Sequence, residues 1–432
     1  MEGKVNNKFS NLPTGWEVKK LKDVAINGGD YGANAPALPY KIGDVRYIRI
    51  TDIDDYGHLI SEDKASLDET IAQNYLLKDN DILFARTGDT VGKSLLYKSS
   101  MGRAAYAGYL IRFTLDEKLI LPEYFDAIAK SDIFEAFKIS MRRIGAKPNI
   151  NSREYGIFRF PMPLNLDEQK EIAKLFTKVD EAIASVQNRI AAAERLKKSL
   201  MQNLLTGKMK PDGTFRTPDE FYIDEKFGKV PIGWEVKSID EISDFVQYGL
   251  NISSSDNGQI PMLRMNNIVN GEMSDSPLVY VNLKDQLLQQ YELEAGDILF
   301  NRTNSMDLVG KVGVFRLMEK YVFASYLIRV RVSKENNPYY INLALNSYPI
   351  QCSLRSKATP AVSQANINSK SLRHTQIFKP KKKDEQDLVM SKIEEVEHVI
   401  LQKNDKVKKL EQLKKSLMQN LLTGKIKIDK DI

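Results

Sequence analysis

The sequence contains one cysteine, Cys352, and three histidines among its 432 residues. A single cysteine excludes an internal disulfide framework and is typical of a protein of the reducing cytoplasm. The three histidines, His58, His374 and His398, are scattered along the chain, and with one cysteine they form no zinc-ligand pattern. The composition therefore argues against a disulfide-stabilised secreted protein and against a zinc enzyme.

Long hydrophobic runs are also missing. No stretch approaches the roughly 20 apolar residues that a membrane-spanning helix needs, and the opening MEGKVNNKFS lacks the apolar core of a signal peptide. With 42% hydrophobic and 28% charged residues, we expect a soluble, cytoplasmic protein of two to four domains. The net charge of +6 permits a nucleic-acid partner without requiring one.

What the sequence does contain is an internal repeat. The segment LKKSLMQNLLTGK occurs at 196–208 and again at 413–425. Shorter motifs return at nearly the same spacing: PxGWEV at 13–18 and 231–236, DILFxRT at 81–87 and 297–303, VGK at 91–93 and 309–311, YLIR at 109–112 and 326–329, NINS at 149–152 and 366–369, and DEQ at 167–169 and 384–386. The residues between these motifs differ strongly. One structural unit written twice with two different surfaces favours a protein that recognises two different targets.

Two segments carry apolar residues at alternating spacings of three and four, which predict long amphipathic helices. In the first segment these residues are Ile172, Phe176, Val179, Ile183, Val186 and Ile190, continued by Leu196, Leu200 and Leu204. In the second they are Val389, Ile393, Val396, Ile400, Val407, Leu410, Leu413, Leu417 and Leu421. Asp167 and Asp384 occupy the expected N-cap positions, and Gly207 and Gly424 the expected left-handed C-terminal positions.

Helices of this length predict a coiled coil. A helix of 39 residues, from Asp167 to Leu205, would be about 58 Å long, and its apolar stripe needs a partner. The matching stripe on the same chain predicts an antiparallel coiled coil. The alternative is two independent helices, each packed on its own domain.

The fold class expected from these patterns is α/β (α+β), with two β-rich globular domains separated by the two long helices. Short apolar runs alternate with polar turns in both globular segments, and residues 121–138 are one helical stretch among them. The expected division is a first domain at 1–165, a central helix at 166–206, a linker at 207–228, a second domain at 229–383, a distal helix at 384–425 and a tail at 426–432.

The ordered motifs, present twice, resemble the specificity subunit of type I restriction-modification systems. The resemblance rests on LPTGWEVKKLKDV, DILFARTG, VGK, GAKPNINSREYGIFRFPMP and DEQKEIA, and it covers nearly the whole chain. It implies two target-recognition domains that each read one half of a bipartite DNA site. It also implies that the two helices bind two methyltransferase subunits, and that restriction/translocase subunits join the complex. Catalysis, S-adenosylmethionine, Mg and ATP would belong to those partners, with no cofactor on this chain.

Candidate DNA-binding residues divide into two groups. Residues shared by the two halves cannot distinguish two half-sites, so phosphate contact or a structural role is expected for Arg86, Thr87 and Lys93 and for Asn301, Arg302, Asn304 and Lys311. Base contacts are expected where the halves differ. These candidates are Arg142, Arg143 and Lys147 in the first half and Arg264, Asn266, Asn267, Arg355, Lys357 and Gln364 in the second, with Arg46 and Arg49 as outside candidates. For each one singly, a solvated surface charge is the alternative.

Two motifs resemble catalytic ones but depart from them. Gly88–Ser94 has its glycines one residue too close for a phosphate-binding loop. Asn337-Pro338-Tyr339-Tyr340 lacks the second proline of an adenine methyltransferase motif. The sequence thus favours a DNA-recognition subunit over two alternatives, which are a nuclease with twin DNA-binding halves and a coiled-coil scaffold for proteins only.

We expect the length of the two helices to set the distance between the half-sites, as a ruler would, and inserting residues into the helices tests this. Half-sites one turn of DNA apart are separated by about 34–36 Å, a distance that a helix of about 58 Å can span. One heptad inserted into both helices should lengthen the unread spacer between the half-sites. The measurement is methylation of target sites with graded spacers, and an unchanged optimum would refute the ruler.

Overall fold

A computed structural model describes residues 9, 11–142, 147–360 and 364–428 of the chain. The chain divides into two compact units, a first unit of residues 1–188 with 404–432 and a second unit of residues 189–403. Both boundaries fall inside the long helices, so each helix contributes to both units. The compact units therefore differ from the linear domain order expected from the sequence.

The globular part of the first unit is built mainly of short strands. Its strands are β1 (Trp16–Lys20), β2 (Asp30–Tyr31), β3 (Leu38–Pro39), β4 (Arg46–Ile48), β5 (Ala65–Ser66), β6 (Asp81–Ala85), β7 (Ser94–Leu96), β8 (Ala104–Tyr106), β9 (Leu110–Thr114) and β10 (Arg159–Pro163). Its helices are α1 (Glu69–Ala72), α2 (Pro122–Ala129), α3 (Asp132–Ser140) and α4 (Ser152–Gly156), and the first long helix is α5 (Leu166–Leu205).

Sheet β2-β9-β6-β7 is antiparallel and is covered on both faces. Alternate residues of β6 explain this: Ile82 and Phe84 pack into the cluster with α2 and α3, whereas Leu83 faces a second cluster. That second cluster lies towards sheet β3-β5-β4-β8, in which β4 and β8 are parallel. Burial on both faces is why DILFA reads as a continuous apolar run.

The second unit repeats this plan with additions. Its strands are β11 (Phe221–Asp224), β12 (Gly228–Pro231), β13 (Trp234–Ser238), β14 (Ser243–Tyr248), β15 (Ile260–Leu263), β16 (Ile268–Val269), β17 (Glu272–Met273), β18 (Val279–Val281), β19 (Ile298–Asn301), β20 (Thr303–Asn304), β21 (Val312–Val314), β22 (Val322–Phe323), β23 (Leu327–Val332), β24 (Thr359–Pro360), β25 (Ala365–Asn366) and β26 (Gln376–Pro380). Its helices are α6 (Asp285–Tyr291), α7 (Pro338–Asn346), α8 (Tyr348–Ser356) and α9 (Ser369–Arg373), and the distal long helix is α10 (Lys383–Leu421).

The central sheet of the second unit has the order β14-β23-β19-β21-β17-β16. Ile298 and Phe300 of β19 pack towards α7 and α8, and Leu299 packs on the opposite face. This is the arrangement of β6 in the first unit, so the predicted internal repeat and the mixed α and β fold class are confirmed. None of the described helices is both long and apolar enough to cross a membrane.

Local details differ from the sequence-based expectations. Residues 121–138 form two helices, because the Ser131 side chain accepts a hydrogen bond from the amide of Ile133 at 3.3 Å and starts α3 anew. The segment expected to be a linker contains β11 and the first residue of β12. Its Arg216 guanidinium is buried against the Trp234 ring and pairs with Glu385 at 2.8 Å. This segment is therefore a folded part of the second unit.

The predicted N-caps of the long helices are wrong. Helix α5 begins at Leu166, and the Asn165 Oδ1 atom accepts from the amide of Asp167 at 2.8 Å, so Asn165 is the capping side chain. Helix α10 begins at Lys383, which places Asp384 inside its first turn. The aspartates still favour the helix starts, because a carboxylate there opposes the positive end of the helix dipole.

The long helices pack antiparallel in the first unit. Ile172 and Phe176 of α5 share a buried core with Leu421 of α10. Farther along α5, Asp180 pairs with Lys414 of α10 at 2.6 Å. Residue numbers thus rise along one helix as they fall along the other.

The second unit shows the same pairing with the roles of the helices exchanged. Leu204 of α5 shares a core with Val389 and Ile393 of α10, and Lys197 pairs with Glu397 at 2.6 Å. The predicted antiparallel coiled coil is confirmed, and the alternative of two independent helices is contradicted.

Most of the predicted apolar stripe is buried or half-buried, but its two leucines Leu196 and Leu413 are not. They are 51% and 49% exposed. From Leu196 the leucines recur every four residues, and each such step advances about 40° around a helix of 3.6 residues per turn. Leu204 is buried, and Leu196, about 80° away from it, faces outward. The expectation that these two leucines continue the stripe is wrong.

A buried glutamine fixes the start of each long helix to its globular segment. Gln169 is fully buried, and its side chain donates to the carbonyls of Pro163 at 2.9 Å and Leu119 at 3.1 Å. Its Oε1 atom accepts from the amide of Leu121 at 2.8 Å. Beside it, Glu168 accepts from the Trp16 indole at 3.0 Å. We call this arrangement the Trp–Glu–Gln clamp.

The second unit carries the same clamp. Gln386 is fully buried, donates to the carbonyl of Pro380 at 3.1 Å and accepts from the amide of Asn337 at 2.8 Å. Glu385 accepts from the Trp234 indole at 3.0 Å. The repeated GWEV and DEQ motifs therefore serve one structural purpose, which is to anchor a long helix.

Gly207 and Gly424 close the long helices in the predicted left-handed conformation, with φ of +67° and +69°. Each glycine also lies against a proline. A Cβ atom would come within 2.2 Å of Pro231 at Gly207 and within 2.6 Å of Pro13 at Gly424. Glycine is thus required at both positions by conformation and by space.

Alanine at Gly207 or Gly424 should lower the free energy of unfolding by about 2–5 kcal/mol, measured by urea denaturation. The left-handed conformation costs about 1–2 kcal/mol, and overlap with the proline adds about 1–3 kcal/mol. Matched controls are Gly88→Ala and Gly228→Ala, which have φ of +69° and +70° but no atom within 4 Å of the added Cβ. Equal losses at all four positions would show that contact with the prolines has no effect.

Candidate nucleic-acid interface

The strand β6 ends at an arginine that lies on a tyrosine. The Arg86 guanidinium is 4.9 Å from the centre of the Tyr31 ring, and the Arg86 amide donates to the carbonyl of Tyr109 at 3.0 Å. The Tyr31 hydroxyl accepts from the amide of Ser152 at the start of α4, at 3.2 Å. Tyr31 and Tyr109 are 42% and 58% exposed. We call Tyr31, Arg86 and Tyr109 the first Tyr–Arg site.

The second unit holds the same group at the end of β19. Arg302 is 4.9 Å from the Tyr248 ring, and its amide donates to the carbonyl of Tyr326 at 3.0 Å. The Tyr248 hydroxyl accepts from the amide of Ser369 at the start of α9, at 2.9 Å. Tyr248, Arg302 and Tyr326 form the second Tyr–Arg site.

Tyr31 and Tyr248 are members of these sites that the sequence motifs did not identify. A weak signal exists, because each is followed by glycine, in Tyr31-Gly32 and Tyr248-Gly249. At Gly32 a Cβ would lie 2.3 Å from the carbonyl oxygen of Tyr106, and at Gly249 2.3 Å from that of Ala324. The repeated Tyr-Gly pair thus marks a place where two backbone segments touch.

The arginines of the Tyr–Arg sites have no ion pair with any residue that the structure describes. Among the residues that the structure describes, neither Arg86 nor Arg302 lies within 4.0 Å of a carboxylate, and the Nε atom of each is buried without a partner. The other repeated arginines, Arg112 and Arg329, share the unpartnered Nε but have ion pairs. Arg112 pairs with Asp30 at 2.9 Å and Arg329 with Asp297 at 3.5 Å. A half-exposed guanidinium without a counter-ion suits an external anion.

Other candidates of the first unit gather near Arg86. A cavity of about 210 Å³ is lined by Gly88, Asn149 and Arg142, among others. Thr87 forms a β-bridge with Asn149, and the amide of Gly88 donates to the carbonyl of Pro148 at 3.0 Å. Arg142 and Lys147 are exposed. Arg143 lies outside the described residues.

In the second unit a small sheet extends the Tyr–Arg site. Strands β20, β25 and β24 pair, which sets Thr303 opposite Asn366 and Asn304 opposite Ala365. Gln364, directly before β25, is exposed. The Asn304 amide contacts the sulfur of Met265 at 3.5 Å. This contact brings the turn that contains Arg264 and the exposed Asn266 next to the site.

Two candidates for base contact, Asn267 and Arg46, are wrong because their side chains are buried and used internally, and Asn301 has the structural role that was its alternative. Asn267 is fully buried, accepts from the amide of Arg264 at 2.9 Å and donates to the carbonyls of Ser274 and Pro277. Asn301 is fully buried and donates to the carbonyl of Leu308 at 3.2 Å. Arg46 is 8% exposed and donates to the carbonyl of Ile60. None of the three presents a free polar group to a base.

Two cations of the first unit are neutralised within the protein. The Lys93 ammonium pairs with Asp55 at 2.8 Å and donates to the carbonyl of Ile53. Arg49 pairs with Asp52 at 2.8 Å. These pairs give Lys93 the structural role that was its alternative expectation, and they give the Arg49 guanidinium a partner within the protein. Lys311, the counterpart of Lys93, is exposed and has no ion pair with any described residue.

Two further candidates, Arg355 and Lys357, lie at the C-terminal end of α8. Lys357 donates to the hydroxyl of Thr375 at 3.1 Å, and burial together with nearby Lys226 lowers its pKa. Arg355 is exposed on the last turn of α8. No contact among the described residues joins Arg355 or Lys357 to the second Tyr–Arg site.

The motif that resembles a methyltransferase has a structural role. The Asn337 side chain accepts from the amides of Tyr339 and Tyr340 and caps α7. Tyr340 is fully buried. Among residues with described positions, no three His, Cys, Asp or Glu side chains come together as metal ligands.

Comparison with known proteins gives the same result in both halves. A family model described as "Type I restriction modification DNA specificity domain" matches residues 13–195 and again residues 231–413. The EcoKI specificity subunit of Escherichia coli K12 is 23% identical over 397 residues, covering 88% of this chain and 81% of that protein. The putative MjaX specificity subunit of Methanocaldococcus jannaschii is 25% identical over 428 residues, covering 96% and 95%.

The fold matches as well. One solved structure comes from work on complex assembly and conformational transition of the type I R-M system. It aligns with this chain with a TM-score of 0.61 at 16% sequence identity. The alignment covers 96% of this chain and all of that one. With two matches to the family model over most of its length, the chain belongs to the family of type I restriction-modification DNA specificity proteins.

Proposed function

We propose that the chain is a DNA-recognition subunit that binds a bipartite site, one half with each unit. It directs adenine methyltransferase and restriction subunits to that site in the cytoplasm and has no catalysis of its own. The observation that carries the proposal is the Tyr–Arg site, present at the same place in both units with an unpaired arginine.

Residues that the two units share and residues that differ between them are suited to different contacts with DNA. An arginine common to both units suits the DNA phosphates, which are alike at every sequence. Base reading requires groups that differ between the units. In the first unit Arg142 lines the cavity beside Gly88, and Lys147 directly precedes Pro148 in that lining. In the second unit Asn304, Gln364 and Asn266 lie in or beside the small sheet and the turn next to it. Two different half-sites are therefore expected.

The identical segments 196–208 and 413–425 support two identical partners. Packing explains their buried leucines, but packing does not require identity at exposed positions. Leu196, Lys198, Ser199 and Gln202 are exposed, and so are their counterparts Leu413, Lys415, Ser416 and Gln419. The same surface presented twice fits two copies of one protein, which we take to be the methyltransferase subunit. S-adenosylmethionine, Mg and ATP would then bind to partner subunits.

The rival functions make different demands. A protein scaffold needs no unpaired arginine beside exposed tyrosines in each unit. A DNA-binding surface needs one, because phosphate contacts release counter-ions and make affinity fall with salt. The Tyr–Arg sites therefore favour DNA binding.

Genome-wide adenine methylation, measured in the host with and without this gene, tests the function. We expect the mark to disappear at one split motif with a fixed spacer when the gene is deleted. Reintroducing the gene should restore it. Methylation that is unchanged while the methyltransferase is expressed and active would contradict the proposal.

Arg86→Ala and Arg302→Ala should each weaken DNA binding about tenfold, as expected for a lost charge-assisted contact. Each should also reduce the salt slope of log affinity by about 0.9. The measurement is fluorescence anisotropy on the full chain with its methyltransferase, over a range of salt. Arg103→Ala serves as control, because Arg103 is paired with Glu69 and exposed elsewhere on the first unit. Slopes equal to that of the control would exclude a phosphate contact at the Tyr–Arg sites.

A further inference from the structure

Both units place an arginine at the same structural position before a short 3-10 turn. Arg49 follows β4, which is parallel to β8, and Arg264 follows β15, which is parallel to β22. In each turn the third residue accepts a hydrogen bond from the amide of the arginine. The distance is 2.8 Å from Arg49 to Asp52 and 2.9 Å from Arg264 to Asn267.

The two turns differ in the charge of that accepting side chain. The Asp52 carboxylate binds the Arg49 guanidinium through Nε at 3.1 Å and Nη2 at 2.8 Å, and this contact raises the pKa of Arg49. Asn267 is neutral, and its amide donates to two backbone carbonyls. The Arg264 side chain has no carboxylate partner among the described residues, and its Nε atom is buried without a partner.

A lysine at an equivalent backbone position in each unit shows the same contrast. The carbonyls of Lys93 and Lys311 accept from equivalent amides, those of Ala85 and Asn301, at 2.9 and 2.8 Å. The Lys93 ammonium is held by Asp55, whose pKa is lowered by that contact. Lys311 is exposed, and within the described parts of the chain it has no ion pair.

The two units differ in these ion pairs because one segment of the first unit is acidic and its equivalent in the second unit is not. Segment 49–55, RITDIDD, contains three aspartates, whereas the equivalent segment 264–270, RMNNIVN, contains none. The second segment lies next to the second Tyr–Arg site through the contact of Met265 with Asn304. Lys311 is linked to the site through its carbonyl, which accepts from the amide of Asn301, the neighbour of Arg302. Arg264 and Lys311 have no ion pair with a described residue, whereas their counterparts Arg49 and Lys93 do.

We propose that Arg264 and Lys311 contact the DNA backbone, and that the first unit has no equivalent contacts because Asp52 and Asp55 neutralise Arg49 and Lys93. This inference rests on the proposed DNA-binding function. It means that the two half-sites are held with unequal electrostatic strength. The second unit makes two more phosphate contacts than the first.

The same substitutions at equivalent positions of the two units test the inference. In the full chain with its methyltransferase, Arg264→Gln with Lys311→Gln should reduce the salt slope of log affinity by about 1.8, which is two phosphate contacts at about 0.9 each. Affinity at moderate salt should fall by one to two orders of magnitude. The matched pair Arg49→Gln with Lys93→Gln should leave the slope unchanged. Equal slopes for the two pairs would overturn the inference.

A second variant is designed to strengthen the salt dependence of binding, a change that misfolding would not produce. Asp55→Asn removes an exposed carboxylate and releases Lys93, so the salt slope should become steeper by about 0.9. An unchanged slope would contradict the masking of Lys93 by Asp55. If the unmodified complex bound its DNA without any salt slope, the proposed function itself would fail. A normal slope that is insensitive to Arg264 and Lys311 would refute only the present inference.

Discussion

The architecture depends on a fully buried glutamine at the start of each long helix. Gln169 and Gln386 use both ends of their amides on backbone groups of the globular segment. A buried amide that lost these partners would leave several backbone groups unsatisfied at about 1–3 kcal/mol each. The Trp–Glu–Gln clamp therefore fixes the direction in which each helix leaves its own globular segment.

Sequence periodicity and repetition predicted the larger elements, because these depend on patterns spread over many residues. Helices α5 and α10, their antiparallel pairing, the left-handed Gly207 and Gly424 and the internal repeat are all present. Errors arose where one contact decides the outcome. Asn165 caps α5 in place of Asp167. Leu196 faces outward because apolar residues that recur every four positions move gradually around an α-helix.

The candidate interface was harder to predict than the fold. Arg86 and Arg302 were identified because they lie in repeated motifs, but their partners Tyr31 and Tyr248 lie in dissimilar stretches and meet them only through the sheets. Residue type alone also failed to separate surface groups from internal ones. Asn267 and Asn266 are neighbours of the same type, yet one is fully buried and the other exposed. Tertiary pairing determines which polar side chains remain available.

The composition of the first unit has a consequence for biosynthesis. Its core combines Trp16 and Ile172 with Met418, Leu421 and Leu422, residues from opposite ends of the chain. A ribosome releases the chain from its N-terminus, so the second unit, a continuous stretch at 189–403, can complete its core first. The core of the first unit lacks Met418, Leu421 and Leu422 until the end of the distal helix has been synthesised. The unit whose synthesis starts first is thus the one whose core is completed last.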